Sequence, residues 1–243
     1  MKNIKLTVQY NGKNYPGWQS QPGTLGIEGE IERAYFTLFS EKIKIHGSGR
    51  TDSGVHALGQ VCNFHTERDL DPVRLPKALN CKLPKDVSVV DAEEVAPDFH
   101  SRYHAKGKCY RYLMYNSLYR NPVMSGISYQ VKFNLDFEKM RSEMEKLKGR
   151  HDFSTFMSAK SSVKTTTREI YDIRLEQREN IIVLEIEGSG FLYNMVRIIV
   201  GTLVDIGRGR ITDSMEEIIA SKDRGKAGHT APAWGLYLKE VYY

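Results

Sequence analysis

The sequence is poor in residues that staple a chain, anchor it in a membrane or gather a metal. It has three cysteines in 243 residues. Cys62, Cys81 and Cys109 are an odd number, widely spaced, with no C-x-x-C pair. That excludes a disulfide framework and a cysteine zinc site, and it points to free thiols in a reducing compartment. No run of about 18 apolar residues occurs, so no spanning helix is expected. The opening "MKNIKLTVQYNG" has neither an apolar stretch nor a small-residue cleavage site, so no signal peptide is read there. A cytoplasmic protein is expected. Phosphate loops and dinucleotide fingerprints are missing too. His46, His56, His65, His100 and His104 lack ligand spacing, which leaves structural roles for most of them.

What is present is an ordinary globular composition, 40% hydrophobic and 27% charged. A chain of 243 residues makes one large domain or two small ones. The net charge of +5 is mild and fits a nucleic-acid partner without requiring one.

Period-two alternation predicts a first strand over residues 4–10, and helical spacing of Ile27, Ile31, Ala34, Tyr35 and Leu38 predicts a helix over 27–40. "KIKIHGSG", "ALGQVCNFHT" and "DVSVVDAEEV" read as strands, and Asp71-Pro72 opens a short helix. Beyond residue 97, "KCYRYLMYN" reads as a strand and 135–149 as a helix with Gly149 as its C-cap. "EIYDIRLEQ" and "IIVLEIEGSG" flank a turn at "REN" as a hairpin. An apolar helix follows over 191–209, then a short one opened by Thr212 or Asp213, then a closing strand in "AWGLYLKEVYY". β-α-β elements therefore recur twice. The expected class is α+β, with two ferredoxin-like halves, 1–96 and 97–243, and a cleft between them.

Four stretches carry more chemistry than a scaffold needs. "GSGRTDSGVHALGQ" puts Arg50, Asp52 and His56 in a glycine-rich loop. An Asp there more often caps a turn, yet a strand running into such a loop is also where active sites are mounted. Residues 101–120 hold five Lys or Arg, five Tyr and no acid. Cations meet phosphates and rings stack on unpaired bases, so this strand suits RNA as well as it suits a solvated face. Lys160, Lys164 and Arg168 make a basic, hydroxyl-rich connection over 158–168, fit to touch a phosphate backbone or merely to link two elements. Arg197 interrupts "GFLYNMVRIIVG", where a cation is costly unless it meets an anion.

Together these stretches resemble the tRNA pseudouridine synthase A (TruA) family, over nearly the whole chain. "GRTDSGVHALGQV" is similar to the family's G-R-T-D-x-G-V-H-A element. "YNGKNYPGWQSQP", "DFHSRYHAKGKCYRYLMYN", "GRHDFSTF", "GFLYNMVRIIVGTLVDIGRG" and "AWGLYL" are similar to its other ordered motifs. The resemblance implies two ferredoxin-like (RRM-like) halves sharing an extended antiparallel sheet, with helices on one face and a central catalytic cleft. It implies an isomerase that converts uridine to pseudouridine at positions 38, 39 and 40 of the tRNA anticodon stem-loop, working as a homodimer with no cofactor. Asp52 matches the nucleophile, Arg50 the arginine that enters the stem as the base leaves, Tyr110 the tyrosine on the target uracil, and Arg197 the ion-pair partner of the aspartate. Attack on C1′, attack on C6 and a glycal route all stay open. Ser53 stands where the family often has alanine, "IEGE" replaces the usual start of the first helix, and Tyr193-Asn194 stand where histidines are common.

Two other readings use parts of the same sequence. A non-catalytic RNA-binding protein would keep the basic tyrosine strand but has no use for Asp52. A glycosidase pairs two carboxylates, and a single one stands out here.

Overall fold

The computed structural model describes residues 1–158 and 164–243, so Lys160 of the basic connection lies outside the described residues. The chain forms two compact units: Met1–Lys106 with Tyr237–Tyr243, and Gly107–Leu236. The first contains β1 (Lys2–Tyr10), α1 (Ile27–Phe39), β2 (His46–Gly47), β3 (His56–Thr66), α2 (Leu75–Asn80) and β4 (Val87–Val95). The second contains β5 (Gly107–Asn116), β6 (Tyr129–Val131), α3 (Phe137–Glu145), β7 (Gly149–Asp152), β8 (Thr167–Arg178), β9 (Ile181–Gly188), α4 (Met195–Gly207) and α5 (Met215–Ser221). The last strand, β10 (Leu236–Tyr242), belongs mostly to the first unit. The mixed α+β class is as expected.

In the first unit the strands run in the order β4-β1-β3-β10, with β2 added to β3. Ile4, Leu6, Val8 and Tyr10 alternate along β1 and are buried, as one face of a strand requires. Ile27, Ile31, Ala34 and Tyr35 of α1 and Leu75 and Leu79 of α2 complete the same core. β3 is buried over most of its length, and a buried polar network explains part of that. Asn3 Nδ2 donates to the carbonyls of Ala96 and Phe99 at 3.0 and 2.8 Å. Asn63 Nδ2 donates to Asn3 Oδ1 at 3.0 Å, and Asn63 Oδ1 accepts from the Ser101 backbone at 2.9 Å. Lys106 N donates to Tyr242 O at 2.8 Å. These bonds tie residues 96–106 to the first unit, so the division falls at Lys106–Gly107 and not at the expected 96–97.

The second unit orders its strands β5-β9-β8-β7, with β6 beside β5. α4 is buried on nearly every side, as an apolar helix at the centre of a unit should be. The expected antiparallel pattern holds for most pairs, but β3 with β10 and β5 with β6 are parallel. A parallel pair needs a crossover between its strands, which local alternation does not reveal. Cys62 and Cys109 are buried thiols, and burial pushes the Cys62 thiol up, away from reactivity. Among the described residues no helix is long and apolar enough to cross a membrane.

Several boundaries differ from expectation. Only His46–Gly47 of "KIKIHGSG" enters a ladder. α2 begins at Leu75, after a turn in which Asp71 Oδ1 accepts from Val73 N. α3 stops at Glu145, and Gly149 does not cap it. Gly149, with φ +93°, opens β7. α4 starts at Met195 because Asn194 is left-handed, φ 62°. α5 is opened by Ser214, neither by Thr212 nor by Asp213. Ser214 Oγ accepts from Glu217 N, and the Glu217 carboxylate accepts from Ser214 N at 2.7 Å, a reciprocal capping box. Ser214→Ala is expected to lower stability by about 1 kcal/mol and the thermal midpoint by about 2–4 °C. Thr212→Ala should change it little, and thermal melts followed by circular dichroism distinguish the two.

Candidate active site

The chain leaves β2 through Ser48, Gly49 and Arg50, reaches Asp52, turns through Ser53-Gly54 and enters β3. Val55 N donates to Asp52 O at 3.1 Å, closing a turn in which Gly54 takes φ +79°, a conformation open to glycine at little cost. On the upstream side Ser48 Oγ donates to Gln60 Oε1 at 2.7 Å, and Gln60 Nε2 donates to Gly49 O at 3.0 Å. Thr51 is buried, its hydroxyl bonded to the Tyr10 phenol at 2.8 Å.

The other wall is the segment after β1. Gly17 and Asp52 form a bridge, and Trp18 N donates to Thr51 O at 3.0 Å. Gly17 has φ +121°, and a Cβ there would overlap the Thr51 carbonyl oxygen. A Cβ on Gly12 would likewise overlap the carbonyl oxygen of Val55. Ser53 Oγ donates to Tyr15 O at 3.1 Å. Gly12 N donates to His56 Nδ1 at 3.0 Å, and the His56 ring stacks on Tyr237 with centroids 4.7 Å apart. His56 therefore helps to lock the loop's downstream end, a structural role as expected. Asp52 itself is half-buried, and Arg50 is exposed at the lip. Beneath them Trp18 is buried and lies against Gly47. Burial raises the pKa of Glu28 on α1, and the Arg50 charge opposes that rise.

The second unit carries the other two expected residues. The β5–β9 register pairs Tyr110, Tyr112 and Met114 with Ile186, Leu184 and Ile182, so both tyrosines share one face. Their surroundings differ. Tyr112 is fully buried and its hydroxyl donates to Pro232 O at 2.6 Å. Burial holds that phenol far above its usual range. Tyr110 is half-exposed at the rim, edge-on to Phe191, with centroids 5.2 Å apart and planes at 86°.

Arg197 is half-buried near the start of α4. Its Nε donates to Ala231 O and one terminal nitrogen donates to Asn194 Oδ1, both at 2.7 Å. The left-handed Asn194 thus serves two ends, since its Nδ2 donates to Ser158 Oγ at 2.9 Å. Of the basic connection, Lys164 is exposed. Arg168 folds back onto the carbonyls of Thr165 and Thr167 at 3.0 and 2.7 Å, its pKa lowered by burial. Among the described residues no group of three or more His, Cys, Asp or Glu could hold a metal ion.

The residues that frame Asp52, namely Tyr10, Gly12, Gly17 and Trp18, carry no individual mark in the sequence. Their signal is the glycine spacing of "YNGKNYPGW", which makes sense only once it is seen to run along a second backbone.

Residues 6–104 and 144–243 match the family model described as tRNA pseudouridine synthase. The tRNA pseudouridine synthase A of Acetivibrio thermocellus is 50% identical over 244 residues, covering 100% of both chains. Those of Caldicellulosiruptor saccharolyticus and Thermoanaerobacter sp. are 46% and 44% identical, again over 100% of each chain. The chain belongs to the tRNA pseudouridine synthase family and is an isomerase of uridine in tRNA.

Proposed function

We propose that Asp52 is the nucleophile of this isomerisation, that Arg50 supports base flipping, that Tyr110 stacks on the target uracil, and that Arg197 is the ion-pair partner that keeps the aspartate ionised. The target uridines are those at positions 38, 39 and 40 of the anticodon stem-loop, and the enzyme works as a cytoplasmic homodimer. The observation that carries the reading is the Asp52 turn. Its backbone is fixed on both sides, by Gly17 and Trp18 and by Gly12 and Val55, while the carboxylate stays half-exposed. A plain surface turn needs no such support.

A paired uridine is out of reach inside a stem and has to leave it, at a cost of a few kcal/mol. Arg50 is exposed and carries a fork suited to phosphate and base edges. It can occupy the gap the base leaves. Asp52 then acts as a carboxylate, and a nearby guanidinium lowers the pKa of such a group. The N1–C1′ bond breaks, the uracil turns and C5 bonds to C1′; the proton lost from C5 is matched by one gained at N1, and any bond Asp52 makes to the uridine is broken again before product leaves. Atoms balance without any other reactant. Tyr110 is half-exposed and edge-on to Phe191, so its ring is braced.

With tRNA tritiated at uridine C5, Asp52→Asn is expected to release no label above background while binding tRNA with unchanged affinity. Release at the wild-type rate would leave the chain its fold and its tRNA but remove Asp52 from the chemistry. Tyr110→Ala should cost about 1–3 kcal/mol of base stacking, read as a rate loss of about tenfold to a hundredfold at saturating tRNA. Tyr110→Phe should retain most of the rate if stacking is the role. If it falls as far as the alanine variant, the hydroxyl takes part in removing the C5 proton.

A further inference from the structure

Arg197, Gly201 and Asp205 are spaced four apart on α4, so they share one stripe about 12 Å long. Residues 228–232 run along that stripe in the opposite direction, as a strap whose register is fixed at Gly228, His229 and Ala231. Gly228 N donates to Thr202 Oγ1 at 2.9 Å. The backbone N and the ring Nδ1 of His229 meet Asp205 Oδ2 at 3.3 and 3.1 Å. The His229 carbonyl lies over Gly201, where a Cβ would overlap it. Ala231 N donates to Arg197 O at 3.1 Å, and Ala231 O accepts from Arg197 Nε at 2.7 Å. The Tyr112 hydroxyl closes the far end on Pro232 O.

Asp205 is 2% exposed. A carboxylate so deeply buried is costly unless it is partnered, and its partners are His229 and the Arg208 guanidinium, 2.8 Å away. A carboxylate only accepts, so His229 Nδ1 carries the proton and Nε2 faces the Tyr129 hydroxyl at 3.1 Å. Apolar side chains would hold the strap against the helix without direction. A charged, hydrogen-bonded clamp fixes where along the helix the strap sits. The cluster stands about two helical turns from Arg197, yet the strap spans the distance from His229 to Ala231.

We infer that Asp205 and His229 are positioning residues for the isomerisation: they set the register of the strap, and the Ala231 carbonyl of the strap sets the direction of the Arg197 guanidinium. This rests on the reading of Arg197 as a functional cation. A misplacement of about 1 Å in such a group can cost about a hundredfold in rate.

The test compares single-turnover tritium release at saturating tRNA, and tRNA Kd, for His229→Ala and Thr202→Val, each alone and combined with Arg197→Lys. Native circular dichroism is required of every variant. His229→Ala should lose about 30-fold to 100-fold in rate and Thr202→Val about fivefold, the size of one hydrogen bond, with Kd within about threefold. In the Arg197→Lys background each should cost less than about threefold, because the group they aim is already replaced. Equal fold-losses in both backgrounds, a wild-type rate, or a loss confined to Kd would overturn the inference. If His229→Ala does not fold, Thr202→Val decides by the same readouts. If Arg197→Lys itself runs at the wild-type rate, the reading of Arg197 fails. If it is slow while the strap variants are not, only this inference fails.

Discussion

The Asp52 turn is held by backbone touching backbone, and that contact exists because Gly12 and Gly17 carry no side chains. The segment after β1 can then lie directly on Thr51, Asp52 and Val55, with Trp18 N bonded to Thr51 O. Everything around it serves the same end. Tyr10 reaches Thr51, Gln60 ties back Ser48 and Gly49, and His56 is pinned between Gly12 N and the ring of Tyr237. A carboxylate on such a turn is aimed before substrate arrives, so little ordering is left for the reaction itself.

The second unit solves its own version of the problem. α4 is apolar nearly all round and would by itself say nothing about where a guanidinium should point. Gly201 lets the strap down onto the helix, Asp205 and His229 fix its register, and Ala231 and Asn194 hold Arg197. Tyr112, which looks from sequence much like Tyr110, is spent on the same strap. Its hydroxyl is buried on Pro232 O, while Tyr110 two residues earlier stays at the rim.

The α+β class and most element positions were legible because alternation and helical spacing are local signals. β1, α1, β3, β4 and the β8–β9 hairpin all follow from them. The misplacements have non-local causes. Gly149 reads as a helix cap but opens a strand that pairs with β8. Residues 97–106 read as the start of a second half, but Asn3, Asn63 and Tyr242 bind them to the first. Parallel pairing of β3 with β10 joins His56 and Ala57 to Tyr237 and Leu238, far apart in sequence. Arg50, Asp52, Tyr110 and Arg197 stand out in the sequence as charges and rings in unusual company. Their supports did not, since a glycine that makes room and a buried Asp205 in an apolar run declare themselves only against a neighbouring backbone.

The central claim is that the carboxylate of Asp52 works because its turn is pressed against Gly17. Gly17→Ala tests it, with single-turnover tritium release normalised to the enzyme that binds tRNA. The expected rate is about a hundredfold below wild type, with tRNA affinity unchanged. A folded Gly17→Ala enzyme that isomerises uridine at the wild-type rate would contradict it.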